Sequence, residues 1–191
     1  PLQDWLSFGA GGVLNYALLP YQAAMDLPEI DLQAIVRHDT WGGGTDGGTI
    51  AARVSGAGRA SWSWKITAGG GMTLSLWDWS GSLAAVRSFS VSKAESGLVD
   101  GAWHKIRVIM TTGIGLTTVR WYVNDALVKT STLAFEVHIV PPSPGQGVRV
   151  GNGLLQGVAG AGFGGDIADF QLRGSGGALV DRLRLDNARA A

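Results

Sequence analysis

Period-two alternation of apolar and polar residues runs through most of the chain and predicts strands. In "EIDLQAIVRH", Ile30, Leu32, Ala34 and Val36 share one face, while Glu29, Asp31, Gln33 and Arg37 share the other. "TIAARV" follows the loop "DTWGGGTDGG". Ile106, Val108 and Met110 alternate through "HKIRVIM", and Val119, Trp121 and Val123 through "TVRWYVNDALV". There Asn124-Asp125 is a pair that tolerates the left-handed angles of a tight turn. Val148 and Val150, then Ala168, Phe170 and Leu172, then Leu179, Leu183 and Leu185 carry the pattern onward. "LQDWLSF" fits one turn of helix, and "PPSPG" at 141–145 fits a loop or an edge. There is no long amphipathic helix and no internal repeat. About ten short strands with regular turn signals predict an all-β sandwich or barrel. The chain reads as a single domain over 1–191, with 1–20 a lead-in strand or docking segment.

The stretch "SWSWKITAGGGMTLSLWDWSG" carries four tryptophans. Trp62, Trp64 and Ile66 fall on one strand face, and Leu74 and Leu76 should pack across from them. Strict alternation then puts Asp78 inside and Trp77 and Trp79 outside. A buried, unpaired carboxylate is costly. The strand is therefore expected to end at Leu76, or to bulge near Trp77–Asp78 and turn Trp79 inward. Trp62, Trp64 and Trp79 then belong to the core with Trp77 over an edge, or Trp77 and Trp79 form an exposed aromatic pair.

Composition narrows the chemistry. No cysteine among 191 residues excludes thiolate metal sites, cysteine nucleophiles and disulfides. Fifteen acidic residues balance fifteen basic ones without a Lys/Arg cluster, which argues against a nucleic-acid partner. No apolar run approaches the roughly 20 residues that span a bilayer, so no membrane insertion is expected. "PLQDWLSFGAGG" lacks the features of a signal peptide, and assembly in a cytoplasm is the expectation. The thirty glycines show no collagen period and read as turns between strands.

Catalytic sets are incomplete. "LPEIDLQA" is similar to the Glu-x-Asp-x-(x)-Glu strand of sandwich-fold β-glucan hydrolases. Glu29 and Asp31 would be nucleophile and tuning carboxylate, but Gln33 stands at the acid/base position and an amide cannot titrate. Only Glu95 and Glu136 remain elsewhere, so Glu29 and Asp31 read as solvent-facing strand residues. His38, His104 and His138 have no metal-ligand spacing. There is no Gly-x-Ser-x-Gly elbow. "GGGTDGG" and "GAGFGGD" lack the Lys-Ser/Thr of a phosphate loop. Asp39, Asp46, Asp166 and Asp169 flank loops of the kind that hold calcium, but without a spacing of known meaning turn-forming aspartates are the better explanation, and no cofactor is assigned.

"DGAWHKIRVIM" at 100–110 resembles the hallmark of concanavalin A-like/laminin G-like domains, Asp-Gly-x-Trp-His before an alternating strand. "VRWYVNDALV" is similar to the next strand and turn, "VRVGNG" to a strand ending in Gly, and "FGGDIADFQLRG" to the closing pattern. Upstream, "AAMDLPEIDLQAIVRHDTW", "WSWKI" and "LSLW" are similar in order to such domains in bacteriophage structural proteins. The resemblance implies an antiparallel two-sheet jelly roll. It also implies a virion component of tail or capsid, present in many copies, bound to other virion proteins and touching host surface glycans. It gives His104 a structural role. Laminin G calcium ligands do not map onto this chain, and its missing cysteine departs from extracellular members.

Two functions follow. The first is a non-enzymatic phage tail or capsid-decorating protein, assembled in the host cytoplasm. The second is a secreted or virion-borne carbohydrate-binding lectin module, in which Trp41 or the Trp77/Trp79 pair stacks on sugar rings while Asp46 or Asn152 holds hydroxyls. A β-glucan hydrolase of the same fold is a distant third.

Overall fold

The computed structural model describes residues 6–8, 16–38, 48–55, 59–67, 69–80, 85–140, 147–151 and 163–184. Trp41, Asp46, Asn152, Asp39 and the 141–145 loop lie outside them. The strands are β1 (Leu6–Phe8), β2 (Ala17–Leu19), β3 (Ile30–Arg37), β4 (Thr49–Ser55), β5 (Arg59–Ile66), β6 (Met72–Asp78) and β7 (Ala85–Val91). After helix α1 (Lys93–Ser96) come β8 (Trp103–Gly113), β9 (Leu116–Val123), β10 (Ala126–Leu133), β11 (Val148–Val150), β12 (Gly165–Arg173) and β13 (Leu179–Arg184). No helix among the described residues is long and apolar enough to cross a membrane.

All strand pairs are antiparallel and form two sheets. The first runs β1-β12-β3-β8-β9-β10, with β13 also on β12; the second runs β2-β11-β4-β5-β6-β7. Sequence-adjacent hairpins build β4–β7 and β8–β10, while β11 and β12 return to lie beside early strands, the long-range pairing of a jelly roll. The segment 1–20 contributes β1 to one sheet and β2 to the other. Leu6–Phe8, expected in a helical turn, is therefore strand, because β12 offers it a free edge.

The core fills the gap between the sheets. Ile30, Leu32, Ala34, Val36, Trp121 and Phe170 face Trp62, Trp64, Leu74 and Leu76. Burying such side chains is the main stabilising term, at roughly 25 cal/mol per Å² of apolar surface. Asn124 and Asp125 take φ of 50° and 66° at the β9–β10 turn, and Asn124 Oδ1 accepts the Lys105 N–H at 3.0 Å. In α1, Ser92 and Glu95 cap each other reciprocally.

Two bulges correct the expected phases. β12 pairs Ile167 with Val36 and Asp169 with Ile35, leaving Ala168 as the extra residue. Ile167 rather than Ala168 therefore faces the core. On β13 the register skips Val180, so Leu179 is exposed while Val180 and Leu183 pack on the core. Leu185 lies outside the described residues.

A candidate ligand-binding cleft

β6 neither stops at Leu76 nor bulges. Its register against β7 continues through Trp77↔Val86 and Asp78↔Ala85. Asp78 is buried, 3 % exposed, as alternation requires. It is not unpaired, because Oδ1 accepts the backbone N–H groups of Ser80 and His138, both at 3.1 Å. The His138 donor comes from a segment whose position alternation could not supply.

That segment, 134–140, leaves the edge strand β10 and crosses to the second sheet. Thr117 Oγ1 donates to Phe135 O at 2.9 Å and accepts the Val137 N–H at 3.0 Å. Ser61 Oγ donates to Ile139 O at 2.6 Å, and the Trp79 N–H donates to His138 O at 2.8 Å. Val137 and Ile139 enter the core. Glu136 and His138, the polar residues alternating with them, line a cleft of about 410 Å³ with Pro28, Trp79, Ser80, Thr112 and Val140. Small-molecule sites occupy roughly 300–1,000 Å³, so this cleft has room for a sugar ring. Its wall offers an indole, a carboxylate, an imidazole and two hydroxyls, and His138 Nε2 lies 4.0 Å from Glu136 Oε1.

Trp79 is thus half-buried on the cleft wall. Trp77 is buried, 9 % exposed, outside both the core cluster and the cleft. Glu136, His138, Ser80 and Thr112 were not singled out as ligand contacts from sequence. The one available signal was "FEVHIV", where two polar residues alternate with apolar ones after a strand.

The hydrolase-like carboxylates have other employment. Arg107 donates Nε to Asp31 Oδ1 at 2.7 Å and Nη2 to Oδ2 at 2.6 Å. Asp31 is 3 % exposed rather than solvent-facing. The fork geometry of the pair compensates its burial, and Asp31 raises the pKa of Arg107 by direct hydrogen bonding. Glu29 accepts the Thr112 N–H at 3.1 Å, and Gln33 lies opposite Arg107 and Gln171 across the sheet. Asp166 accepts from Arg37 Nε at 2.9 Å, and Asp169 from Arg182 and Gln171. Among the described residues no group of three acidic or histidine side chains could hold a metal ion. His104 is buried, and its Nε2 accepts the Val99 N–H at 3.0 Å.

No family model and no curated protein sequence matches this chain. Solved structures do. The CBM40 of the Ruminococcus gnavus IT-sialidase superposes with a TM-score of 0.65 at 16% identity, over 96% of this chain and 94% of that one. The same module bound to α2,3-sialyllactose gives 0.59 at 14% identity, over 89% of each chain. The leech intramolecular trans-sialidase in complex with 2,7-anhydro-Neu5Ac gives 0.64 at 15% identity, over 89% of this chain but 25% of the enzyme. At these identities the likeness concerns the fold: the chain is a jelly-roll β-sandwich of the architecture used by sialidase carbohydrate-binding modules.

Proposed function

We propose that the protein is a non-catalytic carbohydrate-binding module. The observation that carries this reading is the half-buried Trp79 in a cleft with Glu136, His138, Ser80 and Thr112. An indole face covers the apolar side of a sugar ring, while carboxylate and hydroxyl groups fix its hydroxyls. A neighbour of the same fold, named as a carbohydrate-binding module and solved both alone and bound to α2,3-sialyllactose, supports it. Asp31, held by Arg107, and Gln33 leave the strand without an acid/base pair, which favours binding over hydrolysis. Calorimetric titration against a panel of oligosaccharides tests this. Binding that is lost in Trp79→Ala while the fold persists supports the module; no binding to any glycan overturns it.

A virion component is a second reading. Its support is the phage-like order of sequence motifs together with Tyr16, Leu18 and Tyr21, large residues exposed along and beside edge strand β2. Such a surface suits contact with further copies or with neighbouring virion proteins. In this reading the module brings host glycans to an assembling or mature particle. Light scattering across a concentration series checks self-association, and affinity capture from infected-cell lysate checks for tail or capsid partners in fixed ratio.

A further inference from the structure

A second pocket, of about 210 Å³, lies on the other side of the strand ends that bound the Trp79 cleft. It is lined by Glu29, Asp31, Arg107 and Thr111, with Gly174, Gly176 and Gly177 among its backbone walls. Pro28 lines one pocket and Glu29 the other; Thr112 lines one and Thr111 the other. Adjacent residues of β8 point to opposite faces, so Thr111 and Thr112 set the two pockets on either side of the end of that strand. The hydrogen bond from Thr112 N to Glu29 Oε1 ties Glu29 to that strand end.

We infer that the ligand of this end of the sandwich is a neutral oligosaccharide of at least two residues, one ring on Trp79 and the next across that strand end against Arg107. This rests on the glycan-binding reading and adds its length and charge. Arg107 spends Nε and Nη2 on Asp31 and has no acceptor for Nη1 among the described residues. Its guanidinium is held 5.8 Å from the Tyr122 ring centroid. A fixed donor on a pocket wall suits sugar hydroxyls. The charge balance argues against an acidic sugar: Glu29, Asp31 and Glu136 line the two pockets, and among the described residues Arg107, itself paired with Asp31, is the one Lys or Arg that lines them. An acidic glycan would find a better cation on the second sheet. There the half-buried Arg149 stacks 4.9 Å from the Tyr16 ring centroid and forms no ion pair among the described residues.

The test is a ¹H–¹⁵N titration of the intact protein that follows the Trp79 indole N–H and the Nε–H signals of Arg107 and Arg149. The probes are glucose through cellotetraose, N-acetylglucosamine through its tetramer, lactose and 3′-sialyllactose. The expected result is a Trp79 shift with every ligand of one series. An Arg107 shift follows from the dimer upward, with affinity rising about fivefold for the hydrogen bonds gained, and 3′-sialyllactose binds no tighter than lactose. If Trp79 responds at every length and Arg107 at none, the glycan reading stands and the two-pocket ligand is overturned. Tighter binding of 3′-sialyllactose with movement of Arg149 overturns the neutral ligand. Silence of all three signals overturns the glycan reading itself.

Discussion

Asp78 Oδ1 accepts the backbone N–H of His138 at 3.1 Å, so a carboxylate at the end of β6 holds the cleft wall that presents Glu136 and His138. The same oxygen binds the Ser80 N–H, which ties both sides of the cleft to one buried atom.

Replacing Asp78 by Ala removes the acceptor for two backbone donors and is expected to cost about 2–4 kcal/mol. Asp78→Asn keeps an oxygen at that position and should cost markedly less. Urea unfolding of the two variants checks this; an Ala variant as stable as the parent would show that the carboxylate is not the anchor.

The tryptophans separate stability from binding. Trp77→Ala and Trp62→Ala empty buried sites and should destabilise by about 3–5 kcal/mol, while Trp77→Ala leaves the affinity of the folded protein unchanged. Trp79→Ala should lower glycan affinity about tenfold, or about 1.4 kcal/mol, with a smaller loss of stability. Paired unfolding and calorimetric titrations read both effects.

The capping box of α1 gives a pH signature. The Ser92 backbone N–H and hydroxyl, then Lys129, hold the Glu95 pKa down from 4.5 to about 2. A carboxylate depressed in the folded state adds stability that is complete above its unfolded pKa and lost as pH falls through the folded one. The contribution is therefore intact above pH 4.5 and fades toward pH 2. Glu95→Gln should flatten the stability profile in that window, measured as urea midpoints, and NMR titration of the Glu95 carboxyl should give a midpoint near 2.

Gly147 precedes β11 where the chain runs beside β2. A Cβ there would lie 2.0 Å from the Leu19 carbonyl oxygen, a backbone atom. Gly147→Ala must therefore push β2 away from β11, at an expected cost of about 1–3 kcal/mol. Faster amide exchange at Ala17 and Leu19 would accompany the loss of stability; unchanged exchange would show that the strands accommodate the methyl group.

Legibility in the sequence tracked how local the cause was. Trp62, Trp64, Leu74 and Leu76 face the core as their alternation said, because side-chain direction in a paired strand is fixed by the pleat. Asn124-Asp125 was readable as a turn because few other pairs take two positive φ values cheaply. Alternation puts Ala168 and Leu179 in the wrong phase because a bulge depends on the neighbouring strand's register. Asp31 was read as exposed because its partner Arg107 is 76 residues away. Trp79 is one of three tryptophans the sequence offers as a platform, with Trp41 and Trp77; its cleft partners Glu136 and His138 are not legible as such.

By itself the sequence determined the all-β class, the inward faces of most strands, the tight turns and the absence of thiol chemistry, since these follow from neighbours within a few residues. The tertiary structure decided which buried polar group was satisfied and what surrounded Trp79. Asp78 is tolerated inside because Ser80 beside it and His138, which segment 134–140 brings from 60 residues away, both donate backbone N–H groups to it. A buried carboxylate without partners is unstable, so the chain crossing that satisfies Asp78 is also what builds the cleft.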